Sequence, residues 1–329
     1  MKEETRRNCE QFIENRNRIK SVFPWNGELL NLACAGIFTM RSKTVEEPIL
    51  ENCKNMLKQK VSFFSNFRGT AQSPIAAMLT AGVNPEQTLE NGLLVYQQLK
   101  KDFWTSTYLP LVAMIIAQIA QPSQYEGIAS RTRTIYDLMK KKHPFLTSGE
   151  DSAFCALMAL SEKPDEMLIE DAEECYKNLK PNFFSSNAVQ SLSHVLALCD
   201  GLPDMKCGKT MELFERLRAE GRKYGTDYEL PTLGILAMSG ENLDEIVREI
   251  LEIDAYLSQQ KGFGFFSSVS RKQRLMYAGI LSQRDYLNEE SMQAASVNGT
   301  ISLIAAQQAA MCAAVAASSA AAASASSSN

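Results

Sequence analysis

The sequence predicts an all-α protein, an array of about six to seven helical hairpins with a period near 40 residues. Such an array is an α-solenoid, which could also close into an α/α toroid. Three observations predict it. Aromatic residues recur at a nearly constant spacing, strongly apolar helical segments alternate with amphipathic ones, and no stretch alternates apolar and polar residues as a half-buried strand would.

The recurring aromatic residue, replaced once by histidine, follows the charged end of a helix and precedes an apolar one. Successive members are 40, 40, 40, 40, 41 and 39 residues apart, by subtraction of their numbers. The set is Phe23, Phe63, Phe103, His143, Phe183, Tyr224 and Phe263. Because stacked hairpins bury one continuous core, the period predicts a single array across residues 1–290.

The elements follow from this period in chain order. Residues 8–23 predict one helix, ended by Pro24, and we interpret residues 1–25 as an N-terminal cap. Six hairpins follow, whose first helices are apolar nearly all round and therefore predicted to be buried. These first helices are expected to start near Leu29, Ser73, Leu109, Ser152, Ser191 and Leu230. The second helices are amphipathic, with apolar residues three and four apart.

A seventh apolar helix, expected from Arg271, lacks a charged second helix, and residues 291–329 form a separate Ala/Ser-rich tail. The tail has no charged residue, and Ile301–Ala317 is rich in good helix formers. We expect this stretch to pack on the array or on a second copy, although tail-mediated membrane association stays open. Integral insertion is not expected, because Gln307 and Gln308 interrupt a segment of weakly apolar alanines.

Composition narrows the class of function. The chain has 329 residues, 45% hydrophobic, with a net charge of −4. Two cationic runs, Lys140–His143 and Arg271–Arg274, form no basic stripe, so no nucleic-acid partner is expected. We interpret both runs as cations near helix C-terminal carbonyls. Eight scattered cysteines without a C-x-x-C pair, and no apolar signal segment, predict a reducing cytoplasm.

No motif predicts a cofactor or a metal. The stretch GLPDMKCGKT, residues 201–210, resembles a phosphate-binding loop, but six residues separate Gly201 from Gly208 where four are needed. The acidic run on the predicted helix near residue 170 contains Glu170, Asp171, Glu173 and Glu174. Apolar residues occupy the inner face of that helix, so we expect these carboxylates to face solvent.

The candidate binding residues lie mostly at the junctions between hairpins. There, aromatic side chains stand beside hydroxyl and amide groups, a combination typical of binding surfaces. Structural roles also explain most of these residues, as aromatic side chains packed between hairpins or as caps of the next helix. Arg68, Trp104 and Asp227 remain as candidate binding residues. His143 takes an aromatic position and favours a packing role. His194 aligns with small residues of buried helices, so its imidazole needs a hydrogen-bonding partner.

Several blocks resemble, in order, the bacterial domain-of-unknown-function family numbered 4003. They are FFSNFRG, KKHPFLTS, QSLSHVLAL, QKGFGFF, RKQRLMYAG and ISLIAAQQAAMCAA. The resemblance covers essentially the whole chain. It implies a helical bacterial protein of the cytoplasm, and it implies no activity, catalytic residue or cofactor.

Two functions from different classes remain. The first is a non-enzymatic helical-repeat protein that binds or scaffolds a protein or peptide. The second is an enzyme on an α/α toroid, in which junction acids serve as general acid and base; these are Glu150, Asp151, Asp227 and Glu229. Because no acid recurs at every junction, the sequence favours the binding protein. Whether the acids converge in one pocket distinguishes the two.

Overall fold

The structure, a computed structural model, describes residues 1–63, 65–103, 108–147, 151–239, 242–264 and 267–283. Within these ranges every regular element is helical and no strand occurs, which confirms the all-α prediction. The α-helices are α1 (Glu3–Val22), α2 (Glu28–Thr39), α3 (Glu47–Lys60), α4 (Gln72–Ala81), α5 (Pro85–Leu99), α6 (Leu109–Ile119), α7 (Tyr125–Lys142), α8 (Ser152–Met158), α9 (Asp165–Leu179), α10 (Ser186–Leu198), α11 (Pro203–Ala219), α12 (Leu230–Met238), α13 (Leu243–Ser258) and α14 (Arg271–Ser282).

The described residues divide into two compact units. The N-terminal unit contains residues 10–136 and 151–159, and the C-terminal unit contains residues 1–9, 137–147 and 160–283. In the N-terminal unit, α2 packs on α4, α4 on α6 and α6 on α8. These helices carry few charges and bury most of their side chains, as an apolar helix between neighbours must.

The C-terminal unit repeats this arrangement. Its apolar helices α10, α12 and α14 pack in succession, while the amphipathic helix α11 contacts both α9 and α13. Gly234 lies so near α10 that a Cβ there would be 2.5 Å from Leu192 Cδ1. Gly279 approaches α12 in the same way, 2.5 Å from Leu236 Cδ1. Glycine at these two positions therefore permits the close packing of successive apolar helices.

The observed helix boundaries differ from the predicted ones in two places. Helix α10 begins at Ser186 rather than near Ser191, because the Ser185 hydroxyl accepts a hydrogen bond from the Ala188 amide and caps the helix. Helix α1 begins at Glu3, five residues before the expected start. The chain just before it contacts α13, since Lys2 Nζ lies 3.0 Å from the buried carboxylate of Glu249.

The two cationic runs lie at opposite ends of their helices. Lys140, Lys141 and Lys142 form the last turn of α7, near its free carbonyl groups, as expected. The prediction for Arg271–Arg274 is wrong, because this run forms the first turn of α14. The reason is a capping box that starts the helix there, in which the Ser270 and Gln273 side chains each accept a hydrogen bond from the other residue's backbone amide.

Other predictions concern the cysteines, the glycine-rich stretch and the tail. The seven described cysteines are buried and reduced, and Cys312 lies outside the described residues. Residues 203–210 belong to α11, so the GLPDMKCGKT stretch has no phosphate-loop geometry. The predicted helix Ile301–Ala317 and the rest of residues 291–329 also lie outside the described residues. Within the described part of the chain, no helix combines the length and apolarity that a bilayer crossing requires.

Candidate functional site at the hairpin junctions

Three junction rings serve as wedges, each packed against a second ring on the following amphipathic helix. Phe103 meets Tyr136 edge-on with ring centres 5.2 Å apart, and Phe183 meets Phe214 in the same way at 5.2 Å. The His143 ring lies 4.7 Å from that of Tyr176. Edge-on aromatic pairs at these separations add to the stability that comes from burial. Phe103, His143 and Phe183 therefore have a structural role in their hairpins.

Phe63 is an exception to the predicted series. Its side chain is exposed, with a residue exposure of 74%, while Phe67 is fully buried. Phe67 packs edge-on against Tyr96 with ring centres 5.0 Å apart and so takes the wedge position of this junction. The stretch FFSNFRG contains three phenylalanines, and spacing alone selected the wrong one.

A second set of aromatic side chains at the junctions is exposed, and the sequence interpretation missed it. Phe145 is 100% exposed, Phe184 99% and Trp25 97%. Phe184 directly follows the buried Phe183, whose backbone is extended, so the two side chains point to opposite sides. The sequence did contain a signal for these exposed rings, because each follows the recurring aromatic or histidine residue of its junction by one or two positions.

Cations accompany these exposed rings. In the C-terminal unit, Phe145 follows the three lysines that end α7. Phe184 follows Lys180, whose ammonium group donates hydrogen bonds to the carbonyl oxygens of Phe183 (3.2 Å) and Phe184 (3.3 Å). In the N-terminal unit, Phe63 follows Lys58 and Lys60 at the end of α3. Cations at helix C-termini interact favourably with the helix dipole, which accounts for part of this pattern.

Two of the predicted residues, Arg68 and Trp104, belong to junctions of the N-terminal unit. The Arg68 guanidinium donates to the carbonyl oxygens of Lys58 and Val61 and lies over the Phe63 ring, 5.6 Å from its centre. It therefore caps the last turn of α3, a structural use that leaves a binding role as a prediction. Trp104 lies outside the described residues.

The two histidines both line a very small cavity in the C-terminal unit. His143 Nε2 lies 2.7 Å from Glu173 Oε2, which links the end of α7 to α9. His194 is buried on α10, and burial lowers the pKa of its imidazole to about 3, with a further lowering by the neighbouring His143. The imidazole of His194 is therefore neutral at pH 7. The cavity has a volume of about 10 Å³, room for one water molecule at most.

Asp227 and Glu229 occupy the turn before α12. Asp227 is exposed, and its backbone amide donates a hydrogen bond to Glu229 Oε2 at 3.2 Å. Burial raises the pKa of Glu229. A Cβ at Gly225 would lie 2.0 Å from the Glu229 carboxyl carbon, so glycine leaves the space that this carboxylate fills. Of the other two acids named for catalysis, Asp151 precedes α8 in the N-terminal unit and Glu150 lies outside the described residues.

The acidic run on α9 is only partly solvated, which corrects the expectation that all four carboxylates face solvent. Glu170 and Glu174 are exposed. Asp171 pairs with the buried ammonium group of Lys206 at 2.9 Å, and Glu173 pairs with His143. The sequence did not indicate these partners, because they come from other helices. No group of metal-ligating side chains occurs in the described ranges.

Comparisons with known proteins give a family and one curated relative. The model of a family described as "Protein of unknown function (DUF4003)" matches residues 15–309. An "Uncharacterized protein YeaA" from Bacillus subtilis (strain 168) is 24% identical over 326 residues, covering 92% of this chain and 96% of the relative. No solved structure matches the chain.

Proposed function

Since this chain belongs to the DUF4003 family, whose function is unknown, we propose from its structure that it is a non-enzymatic binding protein. Its partner is a protein or peptide that covers the exposed aromatic side chains of the junctions. The observation that carries this proposal is the complete exposure of Phe145 and Phe184 at two junctions of the C-terminal unit.

Exposed single apolar residues are common on proteins, so exposure by itself is a weak argument. Here, however, exposed aromatic side chains occur in related places, each following the end of an amphipathic helix; they are Trp25, Phe63, Phe145 and Phe184. Covering one such ring in a complex contributes roughly 1.5–3 kcal/mol. Aromatic anchors of this kind dominate the binding energy of many protein interfaces.

The charges around the rings favour an acidic partner. Lys141 and Lys142 precede Phe145, and Lys177 and Lys180 precede Phe184. Complementary charges accelerate association and select among partners. We therefore propose a partner segment with acidic side chains beside apolar ones. Seven buried, reduced cysteines suit a reducing compartment, and we propose the cytoplasm as the place where the partner is met.

A catalytic role for the junction acids has less support. The Glu229 carboxylate accepts a hydrogen bond within its own turn and fills the space over Gly225, a structural use. Asp151 belongs to the N-terminal unit, whereas Asp227 and Glu229 belong to the C-terminal unit.

Site-specific photocrosslinking in the native host tests the proposal. The crosslinking amino acid p-benzoylphenylalanine replaces Phe145, Phe184 or, as a control, Leu202, which is also exposed but lies in the α10–α11 connection. We expect one discrete protein adduct from positions 145 and 184 and none from position 202. No protein adduct, lipid adducts alone, or the same adduct from all three positions contradicts the proposal.

Paired variants then measure the contribution of the rings. Phe145→Ser combined with Phe184→Ser is expected to abolish capture of the crosslinked partner. The melting temperature should stay nearly unchanged, because exposed side chains contribute little to stability. Met167→Ser combined with Leu202→Ser removes a similar exposed apolar surface elsewhere in the same unit. Retained capture in the phenylalanine variant contradicts the proposal.

A further inference from the structure

A cationic cleft lies in the C-terminal unit, apart from the exposed aromatic side chains of the junctions. It has a volume of about 620 Å³ and is formed by the segment after α11, the second half of α13 and the first turn of α14. Its lining residues are Arg222, Lys223, Asp254, Ser258, Arg271, Lys272, Arg274 and Leu275. Five of these side chains are cationic and one is acidic, so the lining carries four positive charges in excess.

The single carboxylate of the cleft is buried between two guanidinium groups. Asp254 has a side-chain exposure of 3%; its Oδ1 lies 2.7 Å from Arg274 Nε and its Oδ2 lies 3.0 Å from Arg222 Nε. Arg274 also donates from Nη1 to the Phe263 carbonyl oxygen at 2.9 Å, and its side chain is only 11% exposed. These contacts fix the Arg274 guanidinium group at the wall of the cleft before any ligand arrives, which lowers the entropic cost of binding. The more exposed Arg222 is held near the same carboxylate by an ion pair.

Two other cations of the cleft, Lys223 and Lys272, contribute charge without a direct ion pair to any carboxylate in the described part of the chain. Arg271 and Lys272 are the first two residues of α14, where the helix dipole repels positive charge. Placing cations together at this end of a helix is electrostatically unfavourable, because the cations repel one another and the helix dipole repels them. An anion in the cleft would relieve both.

We infer that this cleft binds a small molecule carrying a diphosphate or two phosphate groups. Four excess positive charges match a ligand with several negative charges, and phosphate oxygens suit guanidinium donors. The cleft also lies at the start of α14, the end of a helix where the dipole favours negative charge. The volume of the cleft is within the range of small-ligand sites and exceeds what a single phosphate would fill, and Leu275 offers an apolar contact for an organic group.

This inference is independent of the proposed partner at the junction rings. None of the cleft residues is among the exposed aromatic side chains, and the probes below contain no protein. Sequence reasoning missed the site because its cations come from three separate segments. The run Arg271–Arg274 was the visible part, and it was assigned to the wrong end of a helix.

Isothermal titration calorimetry on the full chain tests the inference at constant ionic strength. The probes are inorganic phosphate, pyrophosphate and adenosine diphosphate. We expect one site per chain, with pyrophosphate and adenosine diphosphate binding at least tenfold more tightly than phosphate. If pyrophosphate and adenosine diphosphate bind no more tightly than phosphate, or neither binds below millimolar concentrations, the inference is wrong.

Two variants with the same change in net charge place the site. Lys223→Gln combined with Lys272→Gln removes two cations of the cleft and should weaken pyrophosphate binding at least tenfold. Lys141→Gln combined with Lys209→Gln removes two cations elsewhere in the same unit and should weaken it less than twofold. Equal losses in the two variants would mean general attraction by surface charge and would overturn the inference. Circular dichroism and the melting temperature establish that both variants fold.

Discussion

In the C-terminal unit, cationic side chains lie near the C-terminal end of one helix, α10, and at the N-terminal end of another, α14. At the end of α10, Lys163 Nζ donates to the carbonyl oxygens of Ala197 (2.9 Å) and Cys199 (2.6 Å). Lys206 Nζ adds a hydrogen bond to the same Cys199 oxygen at 3.2 Å and pairs with Asp171. At the start of α14, Arg271 and Lys272 stand where the helix dipole repels them.

The difference separates structural cations from cations available to a ligand. The lysines at α10 occupy the favourable end of the helix and find acceptors within the protein. The Lys206 side chain is buried and that of Lys163 is only partly exposed. Burial, followed by the charge of Lys206, lowers the pKa of Lys163. The cations at α14 stand at the unfavourable end and line an open cleft, with Asp254 as the one acidic side chain among them.

The largest effect is expected for Lys206→Met at the end of α10. This change leaves the Asp171 carboxylate, half-buried on α9, without its ion-pair partner and removes a donor from the Cys199 carbonyl group. Loss of a buried, charged hydrogen-bond donor lowers the free energy of unfolding by roughly 2–4 kcal/mol. Urea unfolding followed by circular dichroism measures it. A loss below about 0.5 kcal/mol would mean that this lysine has no structural role.

Asp254→Asn is expected to lower the free energy of unfolding by roughly 2–3 kcal/mol, because it removes the negative charge between Arg222 and Arg274. Added phosphate should restore part of this loss by supplying an anion to the cleft. Urea unfolding in phosphate and in chloride of equal ionic strength measures the restoration. Phosphate should stabilise Lys206→Met no more than it stabilises the wild type. If phosphate stabilises Asp254→Asn and Lys206→Met equally, and both more than the wild type, the contrast between the two helix ends is wrong.

Lys163→Met should have a smaller effect than Lys206→Met. Its ammonium group makes two hydrogen bonds to carbonyl oxygens, but the side chain is partly exposed and Lys206 still contacts Cys199. We expect a loss of about 1–2 kcal/mol in the free energy of unfolding. The same urea experiment measures it, and a loss greater than that of Lys206→Met would reverse the assigned order of the two lysines.

Lys272→Gln should have the smallest effect on stability. Repulsion by the α14 dipole costs about 0.3–1 kcal/mol, and attraction to Glu229 offsets it, so the free energy of unfolding should change by less than about 0.5 kcal/mol. Calorimetry should nevertheless show weaker pyrophosphate binding. A clear loss of stability with unchanged binding would place Lys272 among the structural cations.

The sequence predicted the fold better than it predicted the sites, for a physical reason. Helix type and period are local patterns, so the apolar helix expected from Arg271 begins at that residue and runs to Ser282. Contacts between distant segments leave no such pattern. Arg222 and Arg274 are 52 residues apart by subtraction, and only the packing of α13 on α14 brings Asp254 between them.

The same reason applies to the junctions. The sequence marked where aromatic residues recur, but it could not say which ring of a neighbouring pair is buried. Phe183 is buried and Phe184 is exposed because an extended backbone sends adjacent side chains to opposite faces. Arg68 was expected to remain available, whereas its guanidinium group caps α3, a contact that depends on the fold of the loop after it.

The most direct test of the contrast is the shift in the urea midpoint produced by pyrophosphate at constant ionic strength. A ligand that binds only the folded state raises stability in proportion to its occupancy. We predict equal shifts for the wild type and Lys163→Met, and a much smaller shift for Lys272→Gln. Equal shifts in all three proteins, or no shift in the wild type, would contradict this prediction.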